Sequence, residues 1–380
     1  MSFFDVRYQP RAQKILQRAL ASGRLPHAYL FHGPDGVGKE MLAERLARIL
    51  LCEKPVYLPA PPIEELAGFD GPLRDACGAC QDCVLARAGT HPDLHLIYRE
   101  LHKHHPEPRI RAQKGLELGV EVVRHFVIEA VGTKPARGRA KVFIIREAER
   151  INIEAQNALL KTIEEPPAAT FLVLLSASLD KLLATTKSRC QPVPFAPLPP
   201  VFVAAKLTEF APDITPERAA AYAALAQGSL GRAQQFCADV VEAYNERIIA
   251  ALSRLGAVSV THVAKQWLDD AATLGEQYRS REKEISETEA QRRGLKTLFA
   301  LVAAWFGDSL HVSVNAPDGL VNAGDLRRLT AAGLGPRQAA LAIKAVVDAE
   351  RHLDRNASPQ LAVEALVTRL ARLAPASRAS

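Results

Sequence analysis

The chain has 380 residues, 48% hydrophobic and 24% charged, with 48 Lys and Arg against 42 Asp and Glu for a formal net charge of +6. That length and composition suit two or three globular domains and speak against a disordered chain, while the modest positive charge permits contact with nucleic acid without requiring it. The longest apolar stretch, Leu298 to Phe306, falls far short of the ~20 residues that span a bilayer. Residues Met1 to Arg7 lack the basic region and apolar run of a secretory signal, so a cytoplasmic protein without a membrane segment is expected.

In chain order, Pro10 to Ser22 is predicted helical with Ile15, Leu16, Ala19 and Leu20 inward, and Ala28 to His32 reads as a buried strand. Next comes Gly33-Pro34-Asp35-Gly36-Val37-Gly38-Lys39-Glu40, then a helix with Leu42, Leu46, Ile49 and Leu50 at helical spacing. Strand, glycine loop, lysine and helix together make a phosphate-cradling loop, in which Gly33, Gly36 and Gly38 free the backbone N–H groups and Lys39 reaches the outer phosphates. The next position should supply a Ser or Thr hydroxyl to hold Mg²⁺, and Glu40 stands there instead. The loop can still hold an anion or a nucleotide without metal, since a helix N-terminus attracts phosphate by itself; sequence leaves that open.

After Cys52 a Pro-rich insertion runs from Pro55 to Pro72, read as a loop of unassigned role, and leads to Cys77-Gly78-Ala79-Cys80-Gln81-Asp82-Cys83. Three cysteines at this spacing can turn thiolates toward one point, and Cys52 would complete a closed, structural Zn²⁺ shell; free thiols near an exposed turn are the alternative. The segment lacks the interleaved basic and aromatic residues of a nucleic-acid contact.

Leu94 to Tyr98 reads as a second strand. Arg99 to Lys114 reads as a solvated loop, with no periodic element to aim His102, His104 and His105 at a metal. A helix follows from Gly119 to Val131 with Val123, Phe126, Val127 and Ala130 on one face, then a strand, Lys141 to Ile145, apolar enough to be covered on both faces. The position after such a strand carries a metal-holding Asp in a nucleotidase, and the next a Glu that polarises water. Glu147 keeps the second chemistry, but Arg146 replaces the first, and a guanidinium repels a cation. Glu40 and Arg146 therefore fall on the same expected ion and argue for a lost ATPase. Pairing of Arg146 with a nearby carboxylate, with metal kept through waters, is the alternative.

Asn157 to Pro167 is a helix stopped by its proline pair, Phe171 to Leu175 a further buried strand, and a helical segment with Leu182 and Leu183 precedes Ser188-Arg189-Cys190. Alternating strands and helices imply a parallel α/β sheet. Gln191 to Val201 carries five prolines and reads as a domain boundary. Beyond it only helices are expected: a small unit from Phe202 to about Asp239, where Ser229 is placed to cap a helix, then patterns such as Ala339, Ile343, Val346, Val347 and Val363, Leu366, Val367, Leu370. The polar run Glu276 to Arg293 reads as the exposed part of a long helix, with a charged loop as the alternative.

The stretches His27 to Pro34, Gly89-Thr90-His91-Pro92-Asp93, Asn157 to Pro167, Ser188-Arg189-Cys190, Gly228 to Arg232 and Arg355 to Leu361 together resemble bacterial clamp-loader subunits of the AAA+ family. The resemblance implies an AAA+ domain over 1–195 with an inserted zinc module at about 52–83, a helical lid over 196–240 and a helical collar over 241–380. It implies a subunit of the replicative DNA polymerase holoenzyme, ringed with other loader subunits (gamma/tau and delta), acting on the sliding clamp and, through the complex, on primer-template DNA. Cys52, Cys77, Cys80 and Cys83 match that family's zinc cysteines, with a longer insertion between the first two. Arg189 matches the arginine that reaches into a neighbouring motor subunit's ATP site, and Arg232 the lid arginine that senses nucleotide in active relatives. An ATP-inert member of the ring is expected; a motor subunit hydrolysing ATP through Lys39 and Glu147 is the alternative.

Overall fold

Among its described residues the first unit holds seven strands, β1 (Ala28–His32), β2 (Val56–Leu58), β3 (Leu73–Asp75), β4 (Leu94–Ile97), β5 (Lys141–Ile145), β6 (Thr170–Ser176) and β7 (Gln191–Pro194), of which the mainly apolar β1, β5 and β6 are buried almost throughout. Five of them make one sheet in the order β4-β5-β6-β1-β7, every neighbouring pair parallel. Every residue of β5 and β6 is buried. The computed structural model describes residues 2–59, 62–69, 71–113, 115–137, 139–255, 259–282, 285–316, 320–355 and 357–373. They form two compact units, Met1–Leu198 and Pro199–Ser380.

Several segments differ from the sequence expectation. The proline-rich stretch read as a boundary begins with β7, which pairs Leu30 with Pro192 and His32 with Pro194. A strand at the rim can lack donors that a central strand needs, so proline is tolerated there. The insertion after Cys52 contains the antiparallel hairpin β2-β3. Its Arg74 is gripped on both backbone groups by Gln17 of the helix Pro10–Ser22 (2.8 Å each). Asp75 accepts the Phe3 N–H at 3.1 Å. Gln17, bonded to the hairpin, and Gln13, which donates to the Val6 carbonyl at 3.0 Å, are fully buried in that helix, while Ile15 and Ala19 are only half-buried.

Arg99 to Lys114 is not a solvated loop, although Lys114 itself lies outside the described residues. It folds into a 3₁₀ helix (Arg99–His104) and one helical turn (Pro108–Arg111), burying Arg99, His102 and His105. The following helix, Val120–Val123, widens into a π-helical turn over Arg124–Glu129, with Val123 and Val127 in the core. Leu182 and Leu183 link a 3₁₀ turn to the short helix Ala184–Arg189 rather than lying in a helix.

In the second unit every regular element among the described residues is helical. Ser229 caps Leu230–Asp239, accepting the Arg232 N–H at 3.1 Å. The polar run Glu276 to Arg293 ends one helix (Val260–Arg281) and begins another (Glu287–Ser313), with Lys283 and Glu284 outside the described residues. A Cβ on Gly294 would lie 2.4 Å from the Ala271 carbonyl oxygen, so the two helices meet at a distance only glycine allows. In the helix Pro336–Asp354 the buried face is carried mainly by Ala339, Ala342, Ala345, Val346 and Ala349, with Val347 outside it. Asn356, within the C-terminal stretch noted above, lies outside the described residues.

Candidate nucleotide site, cysteine cluster and exposed arginine

The loop after β1 needs its glycines. Gly33, Gly36 and Gly38 have φ of 143°, 69° and 99°, a region that costs other residues strain. A Cβ on Gly33 would also lie 2.3 Å from the Phe195 carbonyl oxygen. Gly38 caps the helix Lys39–Leu51, whose N-terminus therefore opens on the loop. Lys39, 7% exposed, donates to the carbonyls of Gly33 (2.6 Å) and Pro34 (2.7 Å) and to Asp35 Oδ1 (3.1 Å). An ammonium has three protons, and the loop itself supplies an acceptor for each.

The two positions read as lost metal ligands contact each other: Arg146 Nη2 donates to Glu40 Oε1. The Arg146 guanidinium also stands 5.8 Å from the centre of the Tyr98 ring. Glu147, at φ 47°, is held by Arg99 through Nε (2.6 Å) and Nη2 (3.2 Å), with Arg150 Nε 3.2 Å away. Arg99 comes from the segment read as solvated, so nothing local to Glu147 signalled the buried guanidinium on it. Glu149, not singled out from sequence, accepts the Ala177 N–H at 3.1 Å, and burial above all holds its carboxyl above the usual range.

Cys52, Cys77, Cys80 and Cys83 place their sulfurs within 4.8 Å of one another. The Cys52–Cys80 and Cys77–Cys83 separations are both 3.9 Å; the edge of a tetrahedron with Zn–S of ~2.3 Å is ~3.8 Å. All six cysteines are free thiols. Cys52 ends the helix Lys39–Leu51 and Cys80 begins Gln81–Arg87, so secondary structure fixes both sides of the cluster. Backbone N–H groups of Ala79 and Cys80 lower the Cys77 thiol to about 6, whereas burial pushes Cys52 and Cys83 up. Four sulfurs converging at tetrahedral spacing make a donor set that fits a closed Zn²⁺ shell. Behind the cluster, Asp82 meets His91 (3.3 Å) and Arg137, while Asp93 accepts the N–H groups of Ala136 (2.7 Å) and Arg137 (2.9 Å). The Gly89 to Asp93 motif thus ties the cysteine module to the strand layer. His102, His104 and His105 join no such group among the described residues.

Arg189 ends the helix Ala184–Arg189 with its side chain 35% exposed. Its Nε donates to Glu164 Oε1 and its Nη1 to the Thr185 carbonyl at 3.0 Å. The approach to that helix is fixed by buried Gln156, which donates to Ile151 O (2.9 Å) and Lys181 O (3.3 Å) and accepts the Leu183 N–H (2.8 Å). Neither Gln156 nor Glu164 stood out in the sequence. Arg232, in the second unit, packs its guanidinium 5.7 Å from the centre of the Phe236 ring. Its charge and that of Lys296 oppose the burial that raises the Glu350 carboxyl.

The family described as DNA polymerase III, delta subunit, matches residues 8–199. DNA polymerase III subunit delta' of Pseudomonas aeruginosa is 35% identical over 244 residues, 63% of this chain and 65% of the relative. The protein of the same name in Escherichia coli is 34% identical over 233 residues, 60% of each. DNA polymerase III subunit gamma/tau of Mycobacterium bovis is 32% identical over 199 residues, 52% of this chain and 29% of the relative. The matched stretch therefore spans less than two thirds of each of these relatives.

Proposed function

The chain belongs to the DNA polymerase III delta-subunit family, and on that footing we propose that it is the fixed, non-hydrolysing member of a clamp loader. It gives Arg189 to the nucleotide site of a neighbouring motor subunit while the sliding clamp is placed on primer-template DNA. The observation that supports this most is the Arg146–Glu40 pair, which fills both expected Mg²⁺ positions with each other. Glu147, the residue that would polarise water, is neutralised by Arg99 and Arg150. A guanidinium set against a transferring phosphoryl group stabilises its developing charge, worth ~10³–10⁵ in rate in related nucleotidases.

On the same reading residues 1–195 are the AAA+ domain, 196–240 a lid and 241–380 the collar that joins gamma/tau and delta subunits. Cys52, Cys77, Cys80 and Cys83 hold a structural Zn²⁺, which would pin the hairpin insertion to the helix ends. No helix among the described residues is long and apolar enough to cross a membrane.

The second reading, a gamma/tau-like motor, has the gamma/tau similarity in its favour. The two differ in whether the purified chain hydrolyses ATP by itself, and the donated arginine has its own test. In a loader reconstituted with Arg189→Ala, DNA-stimulated hydrolysis falls ~10³-fold or more at the neighbouring site if Arg189 is donated in trans; wild-type turnover at saturating subunit contradicts the donor reading.

A further inference from the structure

The Arg189 guanidinium is held at two of its three nitrogens. Nε donates to Glu164 and Nη1 to the Thr185 carbonyl, and Nη2 makes no hydrogen bond among the described residues. We propose that Glu164 is the positioning residue for Arg189: its carboxylate fixes the guanidinium plane and leaves Nη2 to meet a phosphoryl oxygen of the neighbouring subunit's nucleotide. This rests on the reading of Arg189 as an arginine donated in trans.

Glu164 is the last residue of the helix Ile153–Glu164, with Pro166 and Pro167 following the capping Glu165. The carboxylate therefore sits on a rigid stop. An acidic side chain in a last turn opposes the helix dipole, so Glu164 breaks a local preference, as residues at functional sites do. Arg189 relieves that conflict. Its second anchor, Thr185, belongs to its own helix, one turn back. Held by two acceptors on two helices, the fork no longer samples the many rotamers of an exposed arginine, and a group already in place costs the reaction less to orient. With side-chain exposures of 35% and 44%, the pair adds little to folding stability, so positioning and folding separate experimentally.

The test uses the reconstituted loader with DNA and ATP, measuring kcat and KM for the wild type, Glu164→Gln, Glu164→Asp, Arg189→Ala and the Glu164→Gln/Arg189→Ala double variant. Glu165→Gln is the control, since Glu165 offers an equal charge one residue on with no ion pair among the described residues. We expect Glu164→Gln to lower kcat about fivefold with KM within about twofold, and Glu164→Asp to recover part of the loss. In the Arg189→Ala background Glu164→Gln should change nothing further, because it acts only through that arginine. Wild-type kcat in Glu164→Gln, an equal loss in the Glu165 control, or the same loss in both backgrounds overturns the proposal. Wild-type kcat in Arg189→Ala is the separate result that removes the donor reading, and the positioning role falls with it. Melting curves of each variant within about 2 °C of the parent show that folding is not being read; a Glu164→Gln chain that melts much lower contradicts the positioning role.

Discussion

Arg146 and Glu40, 106 positions apart, meet as an ion pair at the place where a nucleotidase of this design would hold its metal. A single substitution could have been bridged by water. Paired, the two residues satisfy one another, and a cation arriving there would have to displace a guanidinium from its own carboxylate.

Replacing both, as Glu40→Thr with Arg146→Asp, should return metal-dependent nucleotide binding without returning hydrolysis. Titration should then show Mg²⁺ tightening ATP binding about tenfold or more in the double variant and not in the parent, since one or two protein ligands usually suffice for this ion. Turnover stays absent because Glu147 remains held by Arg99 and Arg150. Mg²⁺-dependent hydrolysis by this variant would show that Glu147 is free to act.

Lys39 is predicted to be a structural residue of the loop as well as a phosphate ligand. Lys39→Ala leaves two part-buried loop carbonyls and the exposed Asp35 carboxylate without their donor, a loss of about 1–2 kcal/mol carried by the carbonyl bonds. Urea unfolding of the isolated chain measures it, and an unchanged midpoint would contradict the geometry.

Metal analysis should find one zinc per chain, and chelation should loosen the cysteine module while sparing the sheet. Cys83→Ser, at a buried sulfur, is expected to lose the metal and expose the hairpin β2-β3 to protease, with hydrogen exchange in β5 and β6 unchanged. A chain free of zinc that resists protease at the hairpin would reject the metal.

Glu149 gives a pH signature. Burial raises its carboxyl in the folded chain, so the folded state binds more protons than the unfolded one and stability falls as pH climbs from the ordinary glutamate range through the raised value. Glu149→Gln should remove that share of the slope and melt slightly higher at neutral pH. An unchanged pH slope in thermal melts would contradict the burial effect.

How far the chain was legible depended on whether signals were local. β1, β4, β5 and β6 are mainly apolar runs, and the glycine loop and the cysteine spacing are compact motifs, so all of these were visible. β7 was hidden because Pro192 and Pro194 look like breakers until the strand is known to lie at the rim. The hairpin was hidden in a proline-rich stretch whose order comes from Gln17 and Asp75, not from its own periodicity. Arg99 on Glu147 and Glu164 on Arg189 are contacts 48 and 25 positions apart between charged residues. Charge patterns leave such pairings open, because many equivalent partners are available along the chain.

The most direct measurement is Mg²⁺-dependent ATP hydrolysis by the purified chain alone, then in a loader completed with the other subunits. The account predicts no turnover above background alone and DNA-stimulated turnover in the complete loader that collapses with Arg189→Ala. Metal-dependent turnover by the chain alone, abolished by Lys39→Ala, would contradict it and make this chain a motor.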